Sequence, residues 1–167
     1  MHSSIRIGQG YDVHVFDVGN YVTLGGEKIP HTHGVKAHSD GDVLLHAVCD
    51  ALLGAMALGD IGMHFPDTDP KWRGADSRVF LRHIKDLLSS HHYTVLNIDT
   101  TVLAEAPRLG KYRDLMRANI ANDLEIAIDQ VNIKATTSEG LGFVGKREGL
   151  ACHAIALIEK TGSNVGV

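Results

Sequence analysis

Ile5 to Phe16 is a glycine-punctuated stretch of strand character, and beyond the turn residues Asp17-Val18-Gly19-Asn20 a second strand is expected from Tyr21 to Ile29. The period then changes. From about Gly41 to Leu58, residues Leu45, Val48, Leu52 and Met56 form a helical apolar stripe, and His46, Cys49, Asp50 and Leu53 share the neighbouring face. Asp76 or Ser77 can cap a second helix with Val79, Phe80, His83, Ile84, Leu87 and Leu88 inward. Thr94 to Ala104 alternates as a strand, ending at Pro107. A third helix follows from about Lys111 to Leu124, with Leu115, Ile120 and Leu124 inward. Val131 to Thr137 and Leu150 to Ile158 are the last strands, joined by the glycine-rich segment from Glu139 to Gly145. Residues 1–4 read as a loose tip and those after Lys160 as a tail. Strands alternating with helices, without repeats or a linker, predict an α/β (α+β layered) fold, a mixed β-sheet packed on helices. Residues 1–167 are expected to form one catalytic domain, with a structured core over 5–160 and a tail over 161–167.

Two connections stand out. Pro30 to Asp40 is a polar loop holding His31, His33 and His38, and Gly59 to Ala75 contains Gly59-Asp60-Ile61-Gly62 and Phe65-Pro66-Asp67-Thr68-Asp69-Pro70. Loops of the second length tend to carry function. The 167 residues suffice for a core, and a composition 44% hydrophobic and 22% charged excludes disorder. A net charge of −4 gives no sign of a nucleic-acid surface, so phosphate must be met by metals, single Lys or Arg side chains, or backbone N–H groups. No apolar run has bilayer-spanning length and no signal peptide is recognisable, so no membrane partner is expected. The expected compartment is the cytoplasm, or a plastid-type organelle where a transit peptide has been removed. Cys49 and Cys152 sit in apolar patterns without a C-x-x-C spacing and read as buried free thiols in a reducing environment.

The candidate chemistry is concentrated near the N-terminus. In an extended strand residues i and i+2 share a side, so Asp12 and His14 can present an oxygen and a nitrogen together. His46, on the first helix, can supply a third ligand. One carboxylate and two imidazoles suit zinc and leave the fourth tetrahedral position open, the mark of a catalytic site. Asp50, one turn beyond His46, reads either as a carboxylate orienting a metal-bound imidazole or as a solvent-facing helix residue. Ser39, Asp40 and Asp42 fit a polar helix cap as well as a functional role, whereas His38 is no preferred cap and is a candidate phosphate donor. Thr136-Thr137-Ser138-Glu139 can bind phosphate oxygens and a hydrated Mg²⁺ at a strand end, or form an ordinary Ser/Thr turn. Ala104-Glu105-Ala106-Pro107-Arg108 is ordinary loop chemistry in isolation.

Taken together, these segments resemble a known family. Gly10-Tyr11-Asp12-Val13-His14, Ala37-His38-Ser39-Asp40-Gly41-Asp42, Gly59-Asp60-Ile61-Gly62, Phe65-Pro66-Asp67-Thr68-Asp69, Ala135-Thr136-Thr137-Ser138-Glu139 and Leu141-Gly142-Phe143 resemble the 2-C-methyl-D-erythritol 2,4-cyclodiphosphate synthases from about Ile5 to Lys160. The resemblance implies zinc on Asp12, His14 and His46, one ion per subunit. It further implies transition-state stabilisation by His38 and Thr137, and Mg²⁺ or Mn²⁺ held by Glu139 on the substrate diphosphate. The ribose would be met by Asp60 and Gly62. Cytosine and its phosphate would be met by Ala104, Glu105, Ala106, Pro107, Arg108, Leu109 and Gly110 with Ala135, Thr136 and Thr137 of a neighbouring subunit. Val13, Ser39, Ile61, Phe65, Pro66, Asp67, Thr68, Asp69, Ser138, Phe143 and Lys146 complete the implied substrate contacts, and the implied assembly is a homotrimer with sites at its interfaces.

The implied activity is that of a phosphorus-oxygen lyase of the non-mevalonate isoprenoid route. The 2-phosphate of 4-diphosphocytidyl-2-C-methyl-D-erythritol 2-phosphate attacks the nearer diphosphate phosphorus, CMP leaves, and a cyclic diphosphate forms. The chain is too short for the cytidylyltransferase fused to some members, so a single activity is expected. Ser138 stands where a third threonine is frequent, Lys146 where arginine is common, and His153 where some members carry an acidic residue near an axial cavity. The competing classes are a metal-dependent phosphohydrolase and a non-catalytic diphosphate-binding trimer. The first needs an in-line base that the sequence does not clearly offer.

Overall fold

The protein was analysed as a computed structural model that describes residues 4–161, so the tip at residues 1–3 and the tail after Thr161 lie outside the described residues. Strand β1 (Ile5–Asp17) is followed by β2 (Tyr21–Leu24), β3 (Glu27–Pro30) and the short β4 (Gly34–Val35). Helix α1 (Val43–Met56), the single turn α2 (Ile61–His64) and helix α3 (Ser77–Ser90) come next. Then follow β5 (Tyr93–Leu103), α4 (Arg113–Leu124), β6 (Val131–Thr136), the turn α5 (Gly142–Gly145) and β7 (Gly149–Lys160). Five strands form one mixed sheet in the order β4-β1-β7-β5-β6, antiparallel throughout except for the β5–β6 pair. One face of this sheet carries the helices, as the alternation of strands and helices predicts.

The single strand expected from Tyr21 to Ile29 is instead a hairpin. Gly25 and Gly26 both have positive φ and turn the chain back, so that Leu24 pairs with Glu27 and Tyr21 with Pro30. In α3 and α4 most of the expected inward residues are buried, but each stripe differs from expectation at single positions. In α3 the buried stripe is Phe80, Leu81, Ile84 and Leu88 while Val79 is exposed. In α4 it is Met116, Ile120, Ala121 and Leu124, and Leu115 is 54% exposed. At 3.6 residues per turn Met116 stacks under Ile120 and Leu124, whereas Leu115 points about 100° away.

Helix α1 is buried on almost every side, and its closest neighbour is β1. A Cβ built on Gly8 would stand 1.9 Å from the carbonyl oxygen of Ala51, and one on Gly10 would stand 1.9 Å from that of Ala47. Two side-chain-free positions on the strand, facing alanines on the helix, therefore set how near α1 lies to the sheet.

The start of α1 is held by Asp42, which is fully buried. Its carboxylate accepts from Leu45 N at 3.0 Å as the cap, and from Gly25 N at 3.0 Å and Gly26 N at 2.7 Å in the hairpin turn. One side chain thus ties the hairpin to the helix that carries His46. Asp42→Ala leaves these donors buried and unpaired, and we expect it to destabilise the fold by about 3 kcal/mol, read as a lower midpoint in urea unfolding. A loss below about 0.5 kcal/mol would show that water reaches the donors.

Candidate metal centre

Asp12 and His14 lie on the helix-facing side of β1, and the close approach of α1 brings His46 to them. His14 Nε2 stands 3.1 Å from Asp12 Oδ2, His46 Nδ1 stands 3.0 Å from the same oxygen, and the two nitrogens are 3.2 Å apart. The three groups form a candidate metal cluster, with Asp12 and His14 half-buried and His46 buried. Ligands at about 2.0–2.1 Å from a tetrahedral ion stand about 3.3 Å from one another, so the triangle is near the size zinc requires. One carboxylate oxygen and two imidazole nitrogens converging on one point are a donor set that fits a bound metal.

Burial pushes the Asp12 carboxyl up, yet hydrogen bonds and charge from His14 and His46 outweigh it and hold the group well below the usual carboxylate range. Burial likewise pushes His46 down, but the Asp12 carboxylate prevails and raises it. Both thiols are free and buried, and burial pushes each of them up, which leaves them protonated and inert.

Beside the cluster opens a cavity of about 470 Å³, lined by His14, His38, Ser39, His46 and by Ile61, Gly62, Phe65, Pro66, Asp67 and Thr68. The long connection from Gly59 to Ala75 therefore folds against the metal ligands. Asp60 caps α2 by accepting from Met63 N, and Asp69 caps a short 3₁₀ turn over Pro70–Trp72 by accepting from Lys71 N. Trp72 and Phe80, which the sequence pattern did not single out for the site, also line this cavity, and Phe65 stacks on Phe80 with centroids 4.4 Å apart. Nε2 of His38 is buried and has no hydrogen-bond partner among the described residues.

The remaining predicted site residues gather elsewhere. β5 and β6 run parallel, so the segments after them, Ala104–Gly110 and Thr137–Glu139, leave the sheet at the same edge. Glu105 accepts from the N–H of Ser138 at 2.9 Å and from its hydroxyl at 3.2 Å, and Thr137 Oγ1 donates to Glu139 at 3.1 Å. Leu109, Gly110 and Ala135 line a smaller cavity of about 290 Å³ with Arg113, Asn132 and Lys134. Glu105, Ala106 and Pro107 line another, with Val144 and Arg147 of the segment that holds Phe143 and Lys146. Arg108 is exposed. Asp12 pairs with Cys152, Cys152 with Val102, and Val102 with Ala135, so Asp12 and Ala135 are three strands, about 14 Å, apart. Val13, between the ligands, turns to the opposite face of the sheet and is 42% exposed.

One expectation is corrected here. Asp50 neither orients the His46 ring nor faces solvent alone; its Oδ1 accepts from Ile61 N at 2.7 Å and anchors the start of α2. The partners of His46 Nε2 are instead Ser77 Oγ at 2.8 Å and Ser39 Oγ at 3.2 Å.

A mixed sheet packed on helices and bearing a carboxylate-bis-imidazole cluster beside a cavity defines an α/β protein with a candidate metal site open to a ligand. A model of the YgbB family matches residues 5–159, and the chain belongs to that family. It is 60% identical over 157 residues to the 2-C-methyl-D-erythritol 2,4-cyclodiphosphate synthase of Thioalkalivibrio sulfidiphilus, covering 94% of this chain and 98% of that relative. Among solved structures it is similar to the bifunctional IspDF from Campylobacter jejuni, with a TM-score of 0.90 and 42% identity over 93% of this chain and 42% of that one. It is also similar to the CDP complex of IspF from Plasmodium falciparum, with a TM-score of 0.85 and 35% identity over 97% of this chain and 100% of that one.

Proposed function

We propose that the chain converts 4-diphosphocytidyl-2-C-methyl-D-erythritol 2-phosphate into 2-C-methyl-D-erythritol 2,4-cyclodiphosphate with release of CMP, a lyase step in isoprenoid synthesis. The observation that carries this reading is the ligand triangle at the mouth of a cavity lined by His38, Ser39 and the Ile61–Thr68 segment. Its support from relatives is the 60% identity to a synthase of that name and the likeness to a structure that binds CDP.

Attacker and electrophile are both anionic, and the product is a ring. Zinc on Asp12, His14 and His46, with Mg²⁺ or Mn²⁺ on Glu139, would neutralise the phosphate charge that otherwise repels the attack. The chain's own part is to hold both ends of a flexible molecule so that closing the ring costs little further entropy. His38, whose Nε2 is buried without a partner among the described residues, donates to a phosphate oxygen on one side. Thr137 does so on the other. Asp60 and Gly62 hold the ribose, and the loop from Ala104 to Gly110 with Ala135 holds the cytosine.

The assembly we propose is a homotrimer with each site divided between neighbours. The two groups of site residues line separate cavities, and Asp12 and Ala135 stand three strands, about 14 Å, apart across the sheet. The sheet face turned away from the helices exposes Ile7 at 67%, Val15 at 53% and Ile155 at 45%, with Tyr11 and Val13 beside them. An apolar face of that kind on a water-soluble fold is suited to a subunit interface. No helix among the described residues is long and apolar enough to cross a membrane.

Phosphorus NMR of the purified protein with the substrate should show CMP and cyclic diphosphate growing in equal amounts, and a chelator should abolish both signals. CMP with a linear bisphosphate in place of the ring would identify a hydrolase, and binding without turnover would leave a diphosphate-holding protein.

A further inference from the structure

Ser77 is the first residue of α3 and is fully buried. Its backbone N–H donates to Asp40 Oδ2 at 3.0 Å, and its hydroxyl donates to Asp40 Oδ1 at 2.5 Å. A carboxylate accepts only, so the Ser77 proton is committed to Asp40. The hydroxyl oxygen, 2.8 Å from His46 Nε2, is then left as an acceptor. His46 must therefore carry a proton on Nε2, which leaves the lone pair of Nδ1 facing Asp12 and His14.

We propose that Asp40 and Ser77 are positioning residues that act in series, fixing the tautomer and ring angle of His46 so that Nδ1 is presented to the metal. The chain of bonds joins the loop before α1, the start of α3 and the first turn of α1, so it also locks His46 against rotation. Ser39 Oγ lies near the same nitrogen but is farther away, at 3.2 Å, and already accepts from Gly41 N. It does not have a carboxylate directing its proton. Asp40 also accepts from Asp42 N at 3.2 Å, so both oxygens of its carboxylate are engaged. An asparagine in its place would put an N–H₂ donor where either the Ser77 hydroxyl or the Ser77 N–H needs an acceptor, and the direction of the series would be lost.

The proposal rests on the triad being a metal site, and the test separates the two. Zinc affinity is measured by competition with a chelator in the parent, Ser77→Ala, Asp40→Asn and Ser39→Ala, with far-UV circular dichroism of the metal-free proteins as a check on folding. Ser77→Ala and Asp40→Asn should bind zinc about 10- to 100-fold more weakly than the parent, the usual cost of losing a partner of a metal-bound histidine. Ser39→Ala should change affinity less than about threefold. In the zinc-loaded, ¹⁵N-labelled parent the ring proton of His46 should sit on Nε2 and exchange slowly with water, and in Ser77→Ala it should exchange much faster. A parent that binds no zinc sinks the metal reading itself. A zinc-binding parent whose His46 proton lies on Nδ1, or an Asp40→Asn variant that binds zinc within twofold of the parent, overturns the positioning assignment alone. Should Ser77→Ala fail to fold, those two observations still decide it.

Discussion

Replacing His46 by alanine should empty the metal site and reduce CMP formation by on the order of 1,000-fold, while the chain stays folded. Losing a ligand must cost more than the 10- to 100-fold typical of losing a ligand's partner, because a two-ligand site cannot hold zinc against water. The ring is buried, but the fold should tolerate the change. Alanine is the strongest helix former, and position 46 lies in the first turn of a helix that is buried along almost its whole length. Ser77 keeps its bond to Asp40, and what is lost besides the metal ligand is the contact of Nε2 with Ser77 and Ser39 and the packing against Phe80, whose ring centroid lies 6.2 Å away. Zinc content after dialysis and thermal unfolding measured together test the point. Full zinc occupancy in the variant would remove His46 from the ligand set, and a collapsed fold would make it a structural residue first.

How much of this could be read from the chain depended on whether a feature is local. The pairing of Asp12 with His14 follows from the two-residue period of a strand, and it is legible wherever the strand is. The period of α1 placed His46 on a helix. That it meets the strand is a tertiary fact, set by Gly8 and Gly10 lying under Ala51 and Ala47, and no spacing encodes it. The Gly25-Gly26 pair is a local hairpin signal that the apolar run on either side of it obscured. Phe80, Ile84, Leu88, Ile120 and Leu124 are buried as the period predicts, whereas Val79 and Leu115 are apolar residues one position beside those stripes, and one position turns a helix by about 100°, enough to exchange inside for outside. Asp50 fitted the helical spacing for a partner of His46, but a free N–H at the start of α2 claimed it. Ser77 and Asp40 carried only cap signals. Their contact with each other spans 37 residues of chain, and a cap in sequence became a ligand support only when α3 docked on α1.

The proposed division of each site between subunits yields the largest effect of all, since it predicts activity from a mixture of two dead proteins. His46→Ala spoils the zinc side. Ala135→Trp places a large ring at an exposed strand position on the edge of the small cavity formed with Leu109 and Gly110, and so spoils the proposed cytidine side. Each variant alone should be almost inactive. In a cyclic trimer every interface is the same head-to-tail pairing, so each site draws its zinc side from one subunit and its cytidine side from the next. After equal amounts are unfolded and refolded together, half the subunits retain an intact zinc side and half an intact cytidine side. Random assortment then gives two intact halves at about a quarter of interfaces, and activity should return to about a quarter of the parent value. A site built within one subunit gives no such recovery, because every subunit in the mixture carries one lesion. Mixed trimers seen by native mass spectrometry but without turnover would therefore assign both halves to one chain, and a protein that stays monomeric while active would remove the trimer altogether.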